Sequence, residues 1–117
     1  MSLSKEDVSE KMRQARVVVL NVLPEEEFQK LHIQGSRSLP LGQDQGAFVQ
    51  AVEKQYGKER LLIIYGSNIT SHAAIDAVEA LRNRGFNAEV YLSGMKDWNE
   101  AGWPVEGSLS KAGAGAR

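Results

Sequence analysis

Short apolar runs that alternate with helical segments constrain the fold of this chain more than any other feature. The clearest runs are RVVVLNV at residues 16–22, RLLIIY at 60–65 and AEVYL at 88–92. Runs of this kind are typical of strands buried on both faces of a parallel sheet. From about Thr70 to Arg84, apolar residues recur at helical spacing, namely Ala74, Ile75, Val78 and Leu81. Strands joined through helices pair in parallel by right-handed crossovers, so the pattern predicts a three-layer α/β domain.

Local capping and turn signals predict further helices and a brief strand. Ser4 with Asp7 resembles a capping box, and Pro24 ahead of three glutamates is typical of a helix start. Asp44 is suited to cap a helix, and Gly57 to end it. The predicted elements are helices at residues 4–14, from Pro24, from Asp44 to near Gly57 and at 94–102, with a strand at 36–39.

The composition indicates one ordinary globular domain. The 117 residues are 42% hydrophobic and 25% charged, which is enough to bury a real core. We assign residues 1–107 to this single domain. Residues 108–117, SLSKAGAGAR, carry small side chains without apolar periodicity and are predicted to form a flexible C-terminal tail.

The charge balance argues against nucleic-acid and membrane partners. Fourteen basic and 15 acidic side chains give a formal net charge of -1, which is not typical of a protein that binds a polyanion. This net charge is still compatible with local basic patches. The N-terminus MSLSKEDVSEKM is charged where a signal peptide needs an apolar stretch, and the apolar runs are too short to cross a bilayer. We therefore expect a soluble, cytoplasmic protein.

The chain contains no cysteine, which excludes disulfides, thiolate metal sites, iron–sulfur clusters and cysteine nucleophiles. His32 and His72 are 40 positions apart and lack the neighbouring ligands of a metal site. The sequence therefore predicts no cofactor and no metal. His32 is expected to make a structural hydrogen bond at a helix end.

The loop after the second strand run is the default functional site, because ligands of parallel sheets bind beyond the carboxyl ends of the strands. Successive amides at the start of the following helix would form a partly positive nest. Asn21, at the end of the first run, is a neighbour of this loop if both strands end there. The alternative is a tight strand-to-helix turn without a ligand. The loop comprises Gly66, Ser67, Asn68, Ile69, Thr70, Ser71 and His72.

Over about residues 15–107, the sequence resembles the rhodanese-like (sulfurtransferase) family. The segment LHIQG at 31–35 fits the family's His-Ile-x-Gly motif. The segment AEVYLSGMKDWNEAGWPVEG at 88–107 fits its closing pattern through Leu92, Gly94, Trp98, Gly102, Pro104 and Val105. The resemblance implies a three-layer αβα fold with a central parallel five-stranded sheet. It also implies an active-site loop that cradles an anionic cysteine persulfide.

The sequence departs from the family at the positions of the catalytic residues. Aligned to the family pattern, Gly66 occupies the position of the catalytic cysteine and Ser71 that of the loop arginine. A one-residue slip would place Ser67 at the cysteine position instead. The family's Asp-x-Arg after the first strand is replaced by Asn21 and Leu23. Sulfur transfer needs a thiolate that can hold a persulfide, which a serine hydroxyl cannot do.

These features predict a catalytically inactive rhodanese-like domain that acts as an anion-binding, regulatory or protein-interaction module. The expected partner is a small oxyanion or a protein at the loop 66–72. One alternative is a sulfur-metabolism accessory, or an enzyme on the same scaffold that uses serine or an external thiol. A serine device lacks a recognisable elbow motif, and adjacent Ser71 and His72 would point about 100° apart on a helix. Another alternative is a purely structural domain joined to something larger.

Overall fold

The computed structural model describes residues 2–70 and 72–109, in which helices and strands alternate. In this part of the chain, no helix is both long and apolar enough to cross a membrane. In chain order, the elements are α1 (Lys5–Lys11), β1 (Val17–Asn21), α2 (Glu25–Lys30), β2 (His32–Ile33), β3 (Arg37–Ser38), α3 (Gln45–Tyr56), β4 (Leu61–Tyr65), α4 (His72–Arg82), β5 (Asn87–Tyr91), α5 (Gly94–Glu100) and β6 (Val105–Glu106).

The central sheet is parallel, as predicted, and has the strand order β3-β1-β4-β5. It contains four strands where five were expected. At the outer edge of β5, Ser2 forms an isolated parallel bridge to Val90, and the Leu3 amide donates to the Val90 carbonyl at 2.9 Å. This pairing stops after two residues because the chain turns into α1, whose N-cap is Ser4. The fifth position is therefore occupied by a bridge that is too short to be a strand.

Helices cover both faces of the sheet, which confirms the three-layer αβα architecture. Successive side chains of a strand point to opposite faces. In β4, Leu62 and Ile64 pack into the core under α3 and α4, whereas Ile63 and Tyr65 pack into the core on the other face. The second core includes Val8 of α1 and Met95 and Trp98 of α5. Both faces of β4 are buried, in agreement with its continuous apolar sequence.

Several local predictions about helix ends are confirmed. Ser4 and Asp7 form a reciprocal capping box, with both bonds at 3.1 Å. The Asp44 carboxylate accepts from the Ala47 amide at 3.0 Å. Gly85 follows α4 with a φ of +86°, a left-handed conformation that favours glycine. The predicted helices at 4–14 and 70–84 are shorter in the structure, by a few residues at their ends.

A small antiparallel sheet of β2 and β6 lies outside the sequence prediction. It pairs His32 with Glu106 and Ile33 with Val105. The structural role expected of His32 is observed: its Nδ1 donates to the Phe28 carbonyl at 2.7 Å, and its ring stacks on that of Phe28. Two-residue strands contain too few side chains to show a period, so the sequence does not signal this pairing.

Candidate functional site

The loop that begins at Gly66 leaves β4 at the carboxyl edge of the central sheet. Asn21 stands opposite Tyr65 in the register of β1 and β4, and the Val22 amide donates to the Tyr65 carbonyl at 3.2 Å. The end of β1 and the start of the loop are therefore neighbours. Leu23 follows two residues after Asn21 and lines the groove beside the loop.

The first two residues of the loop are fixed to the start of α5. The carbonyls of Gly66 and Ser67 accept from the amides of Met95 and Lys96 at 2.9 and 2.8 Å. Gly94 has a φ of +66°, and a Cβ atom built on it would lie 2.6 Å from the Gly66 carbonyl oxygen. Close approach of two backbone segments thus requires glycine at position 94. The loop carbonyls thus satisfy two of the free amides at the N-terminus of α5.

The middle of the loop is closed by its own side chains. Asn68 Oδ1 accepts from the Thr70 amide at 2.9 Å and from the Thr70 hydroxyl at 2.5 Å. One of the amides in the predicted nest is therefore already engaged. Ile69, between these residues, is 64% exposed. Ser71 lies outside the described residues, and His72 begins α4 with an exposed side chain.

A buried polar cluster supports the end of β4. The Tyr65 hydroxyl accepts from the Ile33 amide at 3.0 Å and lies 2.8 Å from Ser36 Oγ. Burial raises the pKa of Tyr65, against the opposing effect of the hydrogen bond with Ser36. Asn21 is fully buried and accepts from the Leu23 amide at 2.9 Å. Its side chain also lies beside the Tyr65 hydroxyl and acts to lower the pKa of that group. Sequence reasoning did not find the role of Tyr65 or Ser36, because their partners come from a separate segment.

Two adjoining grooves flank the loop, and we call them the loop grooves. The first, of about 430 Å³, is bordered by Ile69 and the outer side of α5. The second, of about 290 Å³, lies between α2 and α5 and is lined by the apolar side chains of Leu23, Leu31, Met95 and Leu109. Asn68 and Lys96 border both grooves.

The segment after β6 reaches the second loop groove. The amides of Ser108 and Leu109 donate to the carbonyls of Gln29 and Lys30 at 3.0 and 2.8 Å, and so cap the end of α2. Leu109 is nevertheless 66% exposed. Ser108 and Leu109 begin the predicted tail, and the rest of it, residues 110–117, lies outside the described residues.

The charged side chains around the loop grooves are of both signs and are largely paired. Lys96 Nζ lies 2.7 Å from Glu100 Oε2, and Lys30 lies 3.5 Å from Glu27. Asp97 accepts from the Tyr91 hydroxyl at 2.7 Å. The pKa of Tyr91 is raised well above its usual range by burial, and further by its hydrogen bond to Asp97.

The described residues do not assemble a serine catalytic device at this site. The Thr70 hydroxyl is bound to Asn68, and within the described ranges no hydrogen bond joins a loop hydroxyl to His72. Nucleophilic serine chemistry requires the hydroxyl and its base within hydrogen-bond reach.

Comparison with known proteins identifies the scaffold. The family described as "Rhodanese-like domain" matches residues 4–101. Among solved structures, a Bacillus halodurans protein is 23% identical over 92% of this chain and 77% of its own, with a TM-score of 0.80. The rhodanese-like domain of an Anabaena protein is 22% identical over 92% of this chain and 80% of its own, with a TM-score of 0.76.

A rhodanese-related protein from Thermoplasma volcanium is 20% identical over 93% of this chain and 98% of its own, with a TM-score of 0.69. No curated protein matches the sequence. At these identities, the structural likenesses establish the fold alone.

Proposed function

Because this chain belongs to the rhodanese-like domain family and contains no cysteine, we propose that it is a non-catalytic domain that binds a protein partner at the loop grooves. The observation that carries this proposal is the exposure of Ile69 and Leu109. They are the large hydrophobic side chains that the described part of the chain leaves exposed, and each borders one of the two grooves.

The energetics favour an apolar protein segment over a free oxyanion. Covering an exposed isoleucine or leucine side chain contributes on the order of 1–2 kcal/mol each. An oxyanion would gain about 0.3–1 kcal/mol from the α4 dipole and about 1 kcal/mol from each free amide, but the Thr70 amide is taken. Lys30 and Lys96 also border the grooves, but each already pairs with a glutamate, Glu27 and Glu100, so their charges are largely neutralised toward an anion.

Sulfur transfer is expected to be absent. Purified protein supplied with thiosulfate and cyanide should release thiocyanate no faster than a heat-denatured sample, because no side chain can carry the sulfur as a persulfide. Gly66→Cys with Ser71→Arg should exceed Gly66→Cys alone, since the persulfide anion needs a positive partner. Colorimetric detection of thiocyanate measures both results.

Two variants complete this assay. Ser71→Arg alone controls for the added charge, and Ser67→Cys with Ser71→Arg tests the alternative register of the loop. Turnover by the wild-type protein, unchanged after further purification, would contradict the proposed inactivity.

Partner binding can be tested without knowing the natural partner. Peptides selected from a random displayed library on the wild-type domain should carry apolar side chains and shift the amide resonances of Ser67, Asn68, Ile69, Thr70 and Lys96. Ile69→Ser and Leu109→Ser should each weaken the selected peptides by about tenfold, the equivalent of one covered apolar side chain. Ile69→Val and Leu109→Met, which keep the apolar surface, should bind nearly as well as wild type.

A small oxyanion at the start of α4 is the second candidate, because the loop joins the carboxyl end of β4 to the N-terminus of α4, where free backbone amides favour an anion. Sulfate is the probe. Saturable shifts confined to residues 67–72 with sulfate, and not with chloride at matched ionic strength, would favour the oxyanion. If the selected peptides bound the Ile69→Ser and Leu109→Ser variants as tightly as the wild type, the proposed apolar site would be wrong.

A further inference from the structure

Basic side chains gather at the amino edge of the central sheet, opposite the loop grooves. Arg16 immediately precedes β1, Arg60 immediately precedes β4, and Arg84 lies three residues before β5. These strands are neighbours in the sheet, and the Leu61 amide donates to the Arg16 carbonyl at 3.1 Å. Segments far apart in sequence therefore deliver their charges to one edge. We call Arg13, Arg16, Lys58, Arg60, Arg82 and Arg84 the basic edge.

Most of these charges are not neutralised by the protein. In residues 2–70 and 72–109, no carboxylate lies within 4.0 Å of the guanidinium groups of Arg13, Arg16, Arg60 or Arg84. All four side chains are exposed. Lys58 is the exception, at 3.9 Å from Glu53. The loop grooves differ, since there Lys30 and Lys96 each pair with a glutamate.

The basic edge also contains a concave surface. A groove of about 510 Å³ is lined by Arg16, Tyr56, Lys58 and Arg60, with Glu59 as its one acidic side chain. The Lys58 ammonium lies 5.4 Å from the centre of the Phe86 ring, which links the groove to the start of β5. This volume is within the range of pockets that hold small ligands or a few side chains of a peptide.

We propose that the basic edge binds an acidic segment of a partner protein. Guanidinium groups pair with carboxylates through two parallel hydrogen bonds, and three arginines at neighbouring strand starts can hold successive acidic side chains. Adjacent strands lie about 4.8 Å apart, so β1, β4 and β5 span only about 10 Å, which suits a short peptide. The overall charge of -1 opposes the extended contact with a polyanion that nucleic-acid binding uses.

The probe is a short synthetic peptide that alternates glutamate and serine, titrated into the isotopically labelled domain. It should shift the amide resonances of Arg16, Lys58 and Arg60 saturably, and the binding should weaken as salt rises from about 50 mM to about 500 mM. Arg16→Glu and Arg60→Glu should each weaken binding about fivefold or more, because an attraction becomes a repulsion. The matched control is Arg37→Glu, an exposed arginine of β3 at the carboxyl half of the sheet, which should bind like wild type.

The alternatives give distinct outcomes. Tighter binding of a single-stranded oligothymidylate than of the acidic peptide would overturn the proposal in favour of nucleic acid. Concentration-dependent shifts of the basic edge without any peptide would indicate a second copy of the chain instead. If Arg37→Glu lost as much affinity for the peptide as Arg16→Glu and Arg60→Glu, the net charge of the protein, and not this surface, would drive binding. Thermal melting of each variant checks that the fold is intact.

Discussion

Gly94→Ala is expected to lower the free energy of unfolding by about 3 kcal/mol or more. The residue has a φ of +66°, and the new Cβ would lie 2.6 Å from the Gly66 carbonyl oxygen and 3.2 Å from the Ser67 carbonyl carbon. These are backbone atoms of the candidate site, so they cannot swing aside as a side chain would. Urea denaturation measures the change in stability, and amide shifts at Ser67 and Lys96 report the displaced loop.

Gly102→Ala is the matched control for this variant. Gly102 also has a positive φ, of +77°, but a Cβ built on it meets nothing within 4 Å. Its substitution should therefore lower the free energy of unfolding by only about 1–2 kcal/mol, because alanine disfavours a positive φ but meets no steric clash there. Equal destabilisation by the two variants would show that the contact between Gly94 and the loop is not under steric constraint.

Alkaline pH is expected to destabilise the domain through two buried tyrosines. Tyr65 and Tyr91 are fully buried, and burial raises the pKa of each, with the hydrogen bond to Asp97 adding to the effect at Tyr91. Above about pH 10, the unfolded chain releases these phenol protons while the folded chain keeps them. Since the folded state then holds more protons, stability is full below pH 10 and falls above it, by as much as about 1.4 kcal/mol per pH unit for each tyrosine.

Urea denaturation at several pH values measures this slope. Tyr91→Phe should reduce the slope by up to half, because the substituted ring has no proton to release from the unfolded chain. The sequence contains three tyrosines. Tyrosinate absorption monitors their ionisation in the folded wild-type protein. If all three tyrosines were fully ionised at about pH 11, the raised pKa values would be contradicted.

The sequence by itself determines the class of the fold and the position of the loop. Residues a few positions apart carry this information, because capping boxes, helical spacing and apolar runs act over one or two turns of the chain. Ser4 with Asp7, Asp44 with Ala47 and the run LLIIY at 61–65 all behave as their local patterns predict. The absence of cysteine is likewise known from the sequence alone.

Only the tertiary structure decides how the loop is held and what surrounds it. The carbonyls of Gly66 and Ser67 accept hydrogen bonds from α5, nearly 30 residues later in the chain. Leu109 is held beside its groove by the hydrogen bond from its amide to the Lys30 carbonyl. Arg16 and Arg60 become neighbours only because β1 pairs with β4. The fifth strand was implied by the family resemblance alone, and at the outer edge of β5 the structure has only the isolated bridge between Ser2 and Val90. Each of these features depends on contacts between distant segments, which no local periodicity encodes.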